Sequence, residues 1–183
     1  NKYGNFYALA GGWNVTNEAF WPSIGWIDRL KIRGSWGVVG NDKVNYLAAF
    51  SVVNNNVNAV FGTNEQLFFG QSDGAQGNNN LQWEEVRQSN IGIEFDFLEY
   101  RLYGELDYYV RNTSNTLIGL RPPAFSGSTA DLIVNAGEFT NKGVELVVTW
   151  EDQIGDFKYS MSGNLTTIDN ETIQVSGVER ADE

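Results

Sequence analysis

Four acidic residues, two on each of two consecutive segments, have side chains whose type and spacing could support catalysis or ligand binding. Glu94 and Asp96 lie two residues apart on one segment, and Glu105 and Asp107 lie two residues apart on the next. Carboxylates with this spacing on a strand are separated by about 6.6 Å, near the lower limit for an inverting glycoside hydrolase. The same four carboxylates could instead bind a cation or a substrate. Acidic side chains on a wet face are ordinarily solvated or paired with cations, and we adopt that interpretation.

The composition removes most other catalytic chemistry. The 183 residues include no His and no Cys, which excludes Ser-His-Asp and Cys-His nucleophiles, the usual zinc ligands and disulfides. We therefore expect no enzyme activity, no metal and no cofactor, and we name Arg111 and Lys158 as partners for the acidic residues. The formal net charge of -11 repels a phosphate backbone, so no nucleic-acid partner is expected.

Alternation of apolar and polar residues predicts the elements that position these groups. It indicates six strands, at residues 6–15, 30–39, 86–98, 101–112, 143–150 and 157–168. The segment at 101–112 alternates almost without fault, with Leu102 and Leu106 on one side and Glu105 and Asp107 on the other. No apolar run reaches the roughly 18 residues of a membrane-spanning helix, whereas a membrane-spanning strand needs only about 10 alternating residues.

The predicted connections fall into two length classes. Residues 99–100 and 151–156 form short turns, whereas 40–85 and 113–142 are long and rich in Asn, Gly, Ser and Thr. Short turns at one end and long loops at the other are typical of outer-membrane barrels. Trp83, Arg121 and Phe125 lie in the long loops, and we name them as candidates for substrate contact because exposed aromatic rings stack on sugar faces. The alternative is that these rings anchor the loops to one another or to a partner.

Strand register gives a separate check, because a slip of one residue exchanges the two faces of a strand. A loop at 99–100 places Phe95 opposite Gly104 and Glu94 opposite Glu105, so that the apolar faces coincide and a ring covers bare backbone. For the last hairpin, pairing Trp150 with Phe157 also gives one continuous apolar face. That pair would belong to an aromatic girdle at a membrane interface.

Several stretches together resemble a known family. In order they are GGWNVTNEAF, IDRLKIRGSWGVVGND, NNNLQWEEVRQSNIGIEFDF, RLYGELDYYVRNTSNTLI, NAGEFTNKGVELVVTWE and FKYSMSGNLTTIDNE. They resemble the C-terminal barrel region of SusC/RagA-type TonB-dependent outer-membrane transporters of Bacteroidota. The resemblance covers most of the chain and keeps the order of the motifs.

The resemblance implies an all-β fold, an antiparallel up-and-down sheet forming part of a 22-stranded transmembrane β-barrel in the cell outer membrane. It also implies an internal plug, a SusD-like surface lipoprotein partner, and energy that TonB supplies through the plug. The expected function is import of oligosaccharides or peptides, with Glu94, Glu105, Asp107 and Arg111 as lumenal candidates for substrate contact. Six strands in a lipid bilayer would leave two unpaired edges. We therefore expect residues 1–183 to be a barrel fragment without the plug domain and the terminal strand.

The alternative is a soluble β-sandwich that binds glycans. The two hypotheses differ in what covers the face carrying Phe95, Leu106 and Tyr159, which would be hydrocarbon in a barrel and a second packed sheet in a sandwich.

Overall fold

Most of the strands belong to one antiparallel sheet. The computed structural model describes residues 3–22, 24–41, 43, 46–123, 125, 128, 130–175 and 178–179. Seven strands in the order β1-β2-β5-β6-β7-β8-β9 form this sheet, and β3 pairs only with β4. The strands are β1 (Ala8–Asn14), β2 (Ile27–Asn41), β3 (Val52–Phe61), β4 (Gln66–Ala75), β5 (Glu84–Phe97), β6 (Leu102–Leu120), β7 (Leu132–Ile154), β8 (Phe157–Val175) and β9 (Val178–Glu179). Two short 3-10 helices cover Val15–Asn17 and Tyr46–Ala49.

Each of the six predicted segments coincides with a strand, and the predicted antiparallel all-β fold is confirmed. The extent of the two long loops was predicted wrongly. Residues 40–85 contain the β3–β4 hairpin, and most of 113–142 extends β6 and β7. Asn, Gly and Ser in these stretches indicate turns by their local preferences, but pairing with a neighbouring strand satisfies the backbone and overrides those preferences.

The predicted register is confirmed for one hairpin and wrong for the other. Phe95 lies opposite Gly104 and Glu94 opposite Glu105, as the short turn requires. In the last hairpin, however, Trp150 pairs with Met161 and not with Phe157. The reason is that β7 continues through residues 151–154 before a turn at Gly155, whose φ of 60° suits glycine. The displacement is an even number of residues, so the apolar side chains stay on one face.

The turn between β5 and β6 has an unusual backbone. Leu98, Glu99 and Tyr100 have φ values of 59°, 61° and 62°, which non-glycine residues rarely adopt. A bulge in β2 at Asp28 supports it, because the Asp28 carboxylate accepts the Tyr100 N–H at 3.0 Å. The Trp26 carbonyl accepts the Leu98 N–H at 3.0 Å. Asp28 of β2 and Trp26, which precedes β2, therefore hold the turn in place.

The apolar face of the sheet, the face that carries Phe95 and Leu106, is not covered by a second layer. Ile91, Leu106 and Leu165 on this face are 57%, 39% and 61% exposed, and Val15 is the one buried hydrophobic residue in the described part of the chain. Phe95 is half-buried beside the stacked ring of Phe97. The part of the chain that the structure describes accordingly has no sandwich core, which contradicts the alternative of a β-sandwich. Within the described ranges, the helices are all too short or too polar to span a membrane.

Two glycines on the apolar face allow a matched test of packing. A Cβ at Gly104 would lie 2.9 Å from the Phe95 ring and would collide with the Val147 carbonyl, whereas a Cβ at Gly163 would meet nothing within 4 Å. Gly104→Ala should lower the free energy of unfolding by about 1–3 kcal/mol, because the backbone of β7 must shift. Gly163→Ala should be neutral or slightly stabilising. Urea unfolding of the full-length protein in lipid vesicles measures both, and equal effects would contradict the packing of Phe95 over Gly104.

Candidate functional site

Seven charged side chains form a cluster on the opposite, polar face of the sheet. We call this set the charge cluster. It lies near the short turns, where β2, β5 and β6 run side by side. Its members are Arg29, Lys31, Arg33, Glu94, Asp96, Glu105 and Asp107.

The basic side chains of β2 and the acidic side chains of β5 pair along their shared edge. Arg29 donates two hydrogen bonds to Asp96, at 2.6 Å from Nε and 3.3 Å from Nη2. Lys31 Nζ donates to both carboxylate oxygens of Glu94, at 3.0 and 3.3 Å. Arg29 Nη1 also lies 3.5 Å from Glu94. The alternation of basic residues on β2 thus matches the alternation of acidic residues on β5.

Arg33 joins the acidic residues of β5 and β6. Its Nη2 atom donates to Glu105 at 2.9 Å and also to Asp107, while Nε lies 3.5 Å from Glu94 Oε1. Glu94 and Glu105 are direct cross-strand neighbours, a placement that is unfavourable for like charges. The guanidinium between them offsets this repulsion.

The deepest part of the cluster lies over Gly92. Asp96 and Asp107 are each only 7% exposed, and a Cβ at Gly92 would collide with Asp107 Oδ1 and lie 2.9 Å from Arg33 Nε. These two atoms are buried and lack a hydrogen-bond partner of acceptable geometry. Glycine at this position therefore leaves the space in which the carboxylate and the guanidinium meet.

The ion pairs show that the predicted partners of the acidic residues, Arg111 and Lys158, were wrong. Arg111 lies opposite Gln88 and Lys158 opposite Gln153, and neither forms an ion pair with an acidic side chain in the ranges that the structure describes. The true partners come from β2, more than 60 residues earlier in the chain. The spacing of Arg29, Lys31 and Arg33 at every second residue was the available signal, but it identifies partners only once the pairing of β2 with β5 is known.

This arrangement neutralises carboxylates and does not prepare them for acid–base catalysis. Every acidic residue of the cluster has a cationic partner at hydrogen-bond distance, so no pair of free carboxylates is available to protonate a glycosidic oxygen and activate a water. Among the residues that the structure describes, no three His, Cys, Asp or Glu side chains are grouped to hold a metal ion. The cluster ties three strands together by their side chains.

Arg111 lies instead in a broad depression of about 620 Å³ on the same polar face, further from the short turns. Small and apolar side chains from β1 and β2 line the depression, together with Glu84, Val86 and Gln88 of β5 and Arg111 of β6. The residues involved include Ala8, Ala10, Ser35, Gly37, Gln88 and Arg111.

Trp83 is half-buried at the other end of the strands and is part of an anchored segment. Its ring stacks on Phe6, with centroids 5.5 Å apart and planes inclined by 25°. The neighbouring Gln82 is held by Asn135, whose carboxamide accepts the Gln82 N–H at 2.9 Å and donates to the Gln82 carbonyl at 2.9 Å. The same carboxamide donates to the Asn115 carbonyl at 2.7 Å. Trp83 thus anchors its segment to the residues that precede β1.

Arg121 and Phe125 lie beyond the end of β6 and do not join either feature. Both are exposed, Phe125 by 93%. The structure therefore separates the predicted site residues into three places. Glu94, Glu105 and Asp107 meet in the charge cluster, Arg111 lies in the depression, and the three loop residues lie at the far end of the strands.

Comparison with known proteins finds relatives among TonB-dependent receptors. SusC, a TonB-dependent receptor from Bacteroides thetaiotaomicron, is 29% identical over 187 aligned residues, which cover 100% of this chain and 18% of SusC. The TonB-dependent receptor P3 from Formosa agariphila is 31% identical over an alignment that covers 96% of this chain and 17% of P3. The chain therefore spans less than a fifth of these relatives.

Solved structures agree with the sequence comparison. A chain in the structure of the RagAB peptide transporter superposes with a TM-score of 0.76 and 27% identity, over 93% of this chain and 18% of its own. The RagAB peptide importer in its closed-closed state gives a TM-score of 0.77 and 27% identity, over 94% of this chain and 18% of its own. The family model of the TonB dependent receptor-like β-barrel matches residues 1–181. The chain therefore belongs to the TonB-dependent receptor β-barrel family, and its predicted resemblance to SusC and RagA is confirmed.

Proposed function

We propose that this chain is a wall segment in the barrel of a SusC-like transporter in the cell outer membrane, which imports oligosaccharides or peptides. In this arrangement the apolar face contacts lipid and the polar face contacts the lumen. TonB supplies the energy through a plug domain, and a SusD-like lipoprotein closes the extracellular side. The chain itself has a passive role and catalyses no reaction.

The observation that carries the proposal is the single-layer sheet with one apolar and one charged face. On β6 the apolar face runs from Leu102 to Val110, a distance of eight residues. Eight residues of strand span about 26 Å, and at a tilt of about 40° they rise by about 20 Å. This height approaches the roughly 25 Å of the apolar band of outer-membrane barrels. Aromatic rings at the turn end, including Phe97, Trp150 and Phe157, fit the girdle at the nearer interface.

Substrate would pass along the polar face. The depression beside Arg111 offers room close to the wall, because small side chains line it and the guanidinium forms no ion pair within the described ranges. Arg111 therefore suits an anionic group on the substrate, such as a carboxylate. Arg121 and Phe125 lie nearer the extracellular side, where they would meet substrate or the lipoprotein, whereas the ring of Trp83 stacks on Phe6 and anchors its segment. Glu94, Glu105 and Asp107 would meet the substrate only as carboxylates already paired with Lys31 and Arg33.

The assignment of the two faces can be tested by spin labels on adjacent residues of β8. Leu165 is on the apolar face opposite Leu146, and Asn164 is on the polar face opposite Val147. In the full-length protein in lipid vesicles, a label on Leu165→Cys should collide mainly with oxygen, which concentrates in lipid. A label on Asn164→Cys should collide mainly with a water-soluble nickel complex. The reverse pattern, or equal access of nickel to both labels, would contradict the proposal.

A further inference from the structure

A second cavity, of about 320 Å³, lies on the same side of the sheet as the apolar face, beyond its last apolar residues. Glu85, which lines it, pairs with Gly40 of β2, and the ring of Phe6 lies directly over Gly40. Glu85 shares its face with Arg87, Ile91 and Ile93, because these residues are separated by even numbers along β5. The cavity is therefore on the outside of the proposed barrel.

The lining of this cavity suits a sugar ring. Phe6 and Trp83 supply a stacked pair of rings, and Asn5, Gln82 and Glu85 supply carboxamide and carboxylate groups. Aromatic rings pack against the apolar C–H faces of sugars, while carboxamides both donate to and accept from hydroxyl groups. The volume is at the lower end of the range of about 300–1,000 Å³ for small-ligand pockets, which fits one or two sugar rings.

The walls of the cavity are held in place without a ligand. The Asn135 carboxamide bonds both backbone groups of Gln82, so the segment carrying Gln82 and Trp83 is fixed to β7. On the other side, the backbone at Gly4 packs closely on the rings, since a Cβ there would lie 3.3 Å from Trp83 and nearer still to Phe6. A site formed in advance binds with a smaller loss of conformational entropy.

The position of Arg87 indicates where the sugar comes from. Arg87 is two residues from Glu85 on the same face, about 6.6 Å closer to the apolar residues. Its side chain is 60% exposed and lies 3.2 Å from Glu85. At the edge of a lipid bilayer, a guanidinium at this level meets headgroup phosphates, and the cavity above it meets whatever sugar the headgroup carries.

We propose that this cavity binds the sugar headgroup of a phosphorylated glycolipid in the outer leaflet, with Arg87 contacting its phosphate. This rests on the proposed function, because it requires the apolar face to lie in the outer membrane. A soluble oligosaccharide travelling through the lumen would be on the opposite side of the sheet. The cavity therefore holds the transporter to its lipid surroundings and takes no part in the import path.

The test is a titration of the purified full-length protein, followed by native mass spectrometry. Three probes are compared, namely lipid A, phosphatidylglycerol and the free disaccharide of lipid A. Gln82→Ala removes a side-chain carboxamide but keeps the backbone contacts to Asn135, and Arg87→Gln removes the charge. Each should weaken lipid A binding by roughly three- to tenfold, the loss expected for one or two hydrogen bonds. The controls Gln66→Ala on β4 and Lys158→Gln on the polar face of β8 should leave lipid A binding unchanged.

Each outcome bears on the proposal. Weakened lipid A binding in both variants, with phosphatidylglycerol insensitive to Gln82→Ala, supports it. Lipid A binding that is insensitive to Gln82→Ala overturns it, and so does a free disaccharide that binds as tightly as lipid A. The spin label at Leu165 separates this proposal from the function on which it rests. A label in lipid with no glycolipid site refutes only the site, whereas a label in water refutes both.

Discussion

Leu146→Arg should prevent most of the full-length protein from assembling in the outer membrane. Leu146 lies midway along the apolar face of β7, between Trp150 near the short turn and Lys142 at the other end. An Arg facing lipid at mid-bilayer costs about 2–4 kcal/mol, a large fraction of the stability of a typical folded domain. The measurement is the amount of heat-modifiable, protease-resistant protein in the outer membrane.

The adjacent residue gives the matched control. Val147 lies on the polar face opposite Glu105, so Arg at this position would enter water and gain a carboxylate neighbour. Val147→Arg should change the free energy of unfolding by less than about 1 kcal/mol. Equal assembly of the two variants, or a larger defect for Val147→Arg, would show that the faces are assigned the wrong way round.

Arg33→Met should give the largest loss of stability within the charge cluster. The variant keeps most of the aliphatic volume but removes the cation shared by Glu94, Glu105 and Asp107. The Asp107 side chain is only 10% exposed, whereas Glu105 is 48% exposed and remains solvated. Because the site is only partly buried, we expect a loss of about 2 kcal/mol, between the values for exposed and buried pairs. Urea unfolding in lipid vesicles measures it.

Two further variants isolate the cause. Lys142→Met removes an ion pair whose side chains are 42% and 66% exposed, so its effect should stay below about 0.5 kcal/mol. Adding Asp107→Asn to Arg33→Met should recover part of the loss, because the buried carboxylate is then no longer charged. If Arg33→Met and Lys142→Met proved equally mild, the cluster would be no more than a set of solvated surface pairs.

The local pattern of residues in the sequence was sufficient to predict much of the fold. Apolar and polar residues alternate along 102–111, and this alternation specified a strand with one apolar face. The position of the short turn at 99–100 specified the register of β5 against β6. Both features depend on neighbours in the sequence. The last hairpin shows the limit, because two registers that differ by an even number of residues present the same faces. Only Gly155 at the turn distinguishes them.

The residues of the candidate site likewise fall into those that the sequence predicted and those that only the strand pairing brought together. Glu94, Glu105 and Asp107 were recognisable as a group on one face because their strands form one hairpin. Their partners were not, since Arg29, Lys31 and Arg33 reach them through pairing between β2 and β5 across more than 60 residues. The contact of Trp83 with Phe6 and the bond between Gln82 and Asn135 have the same origin.

By itself, then, the amino-acid sequence determined which residues share each face of a strand, because a strand's side chains alternate whatever it pairs with. It also determined the family, through motifs kept in order along the chain. The tertiary structure alone decided which charges neutralise each other, where the cavities lie, and that no second layer covers the apolar face. These depend on which distant strands become neighbours, and alternation along one strand carries no information about that choice.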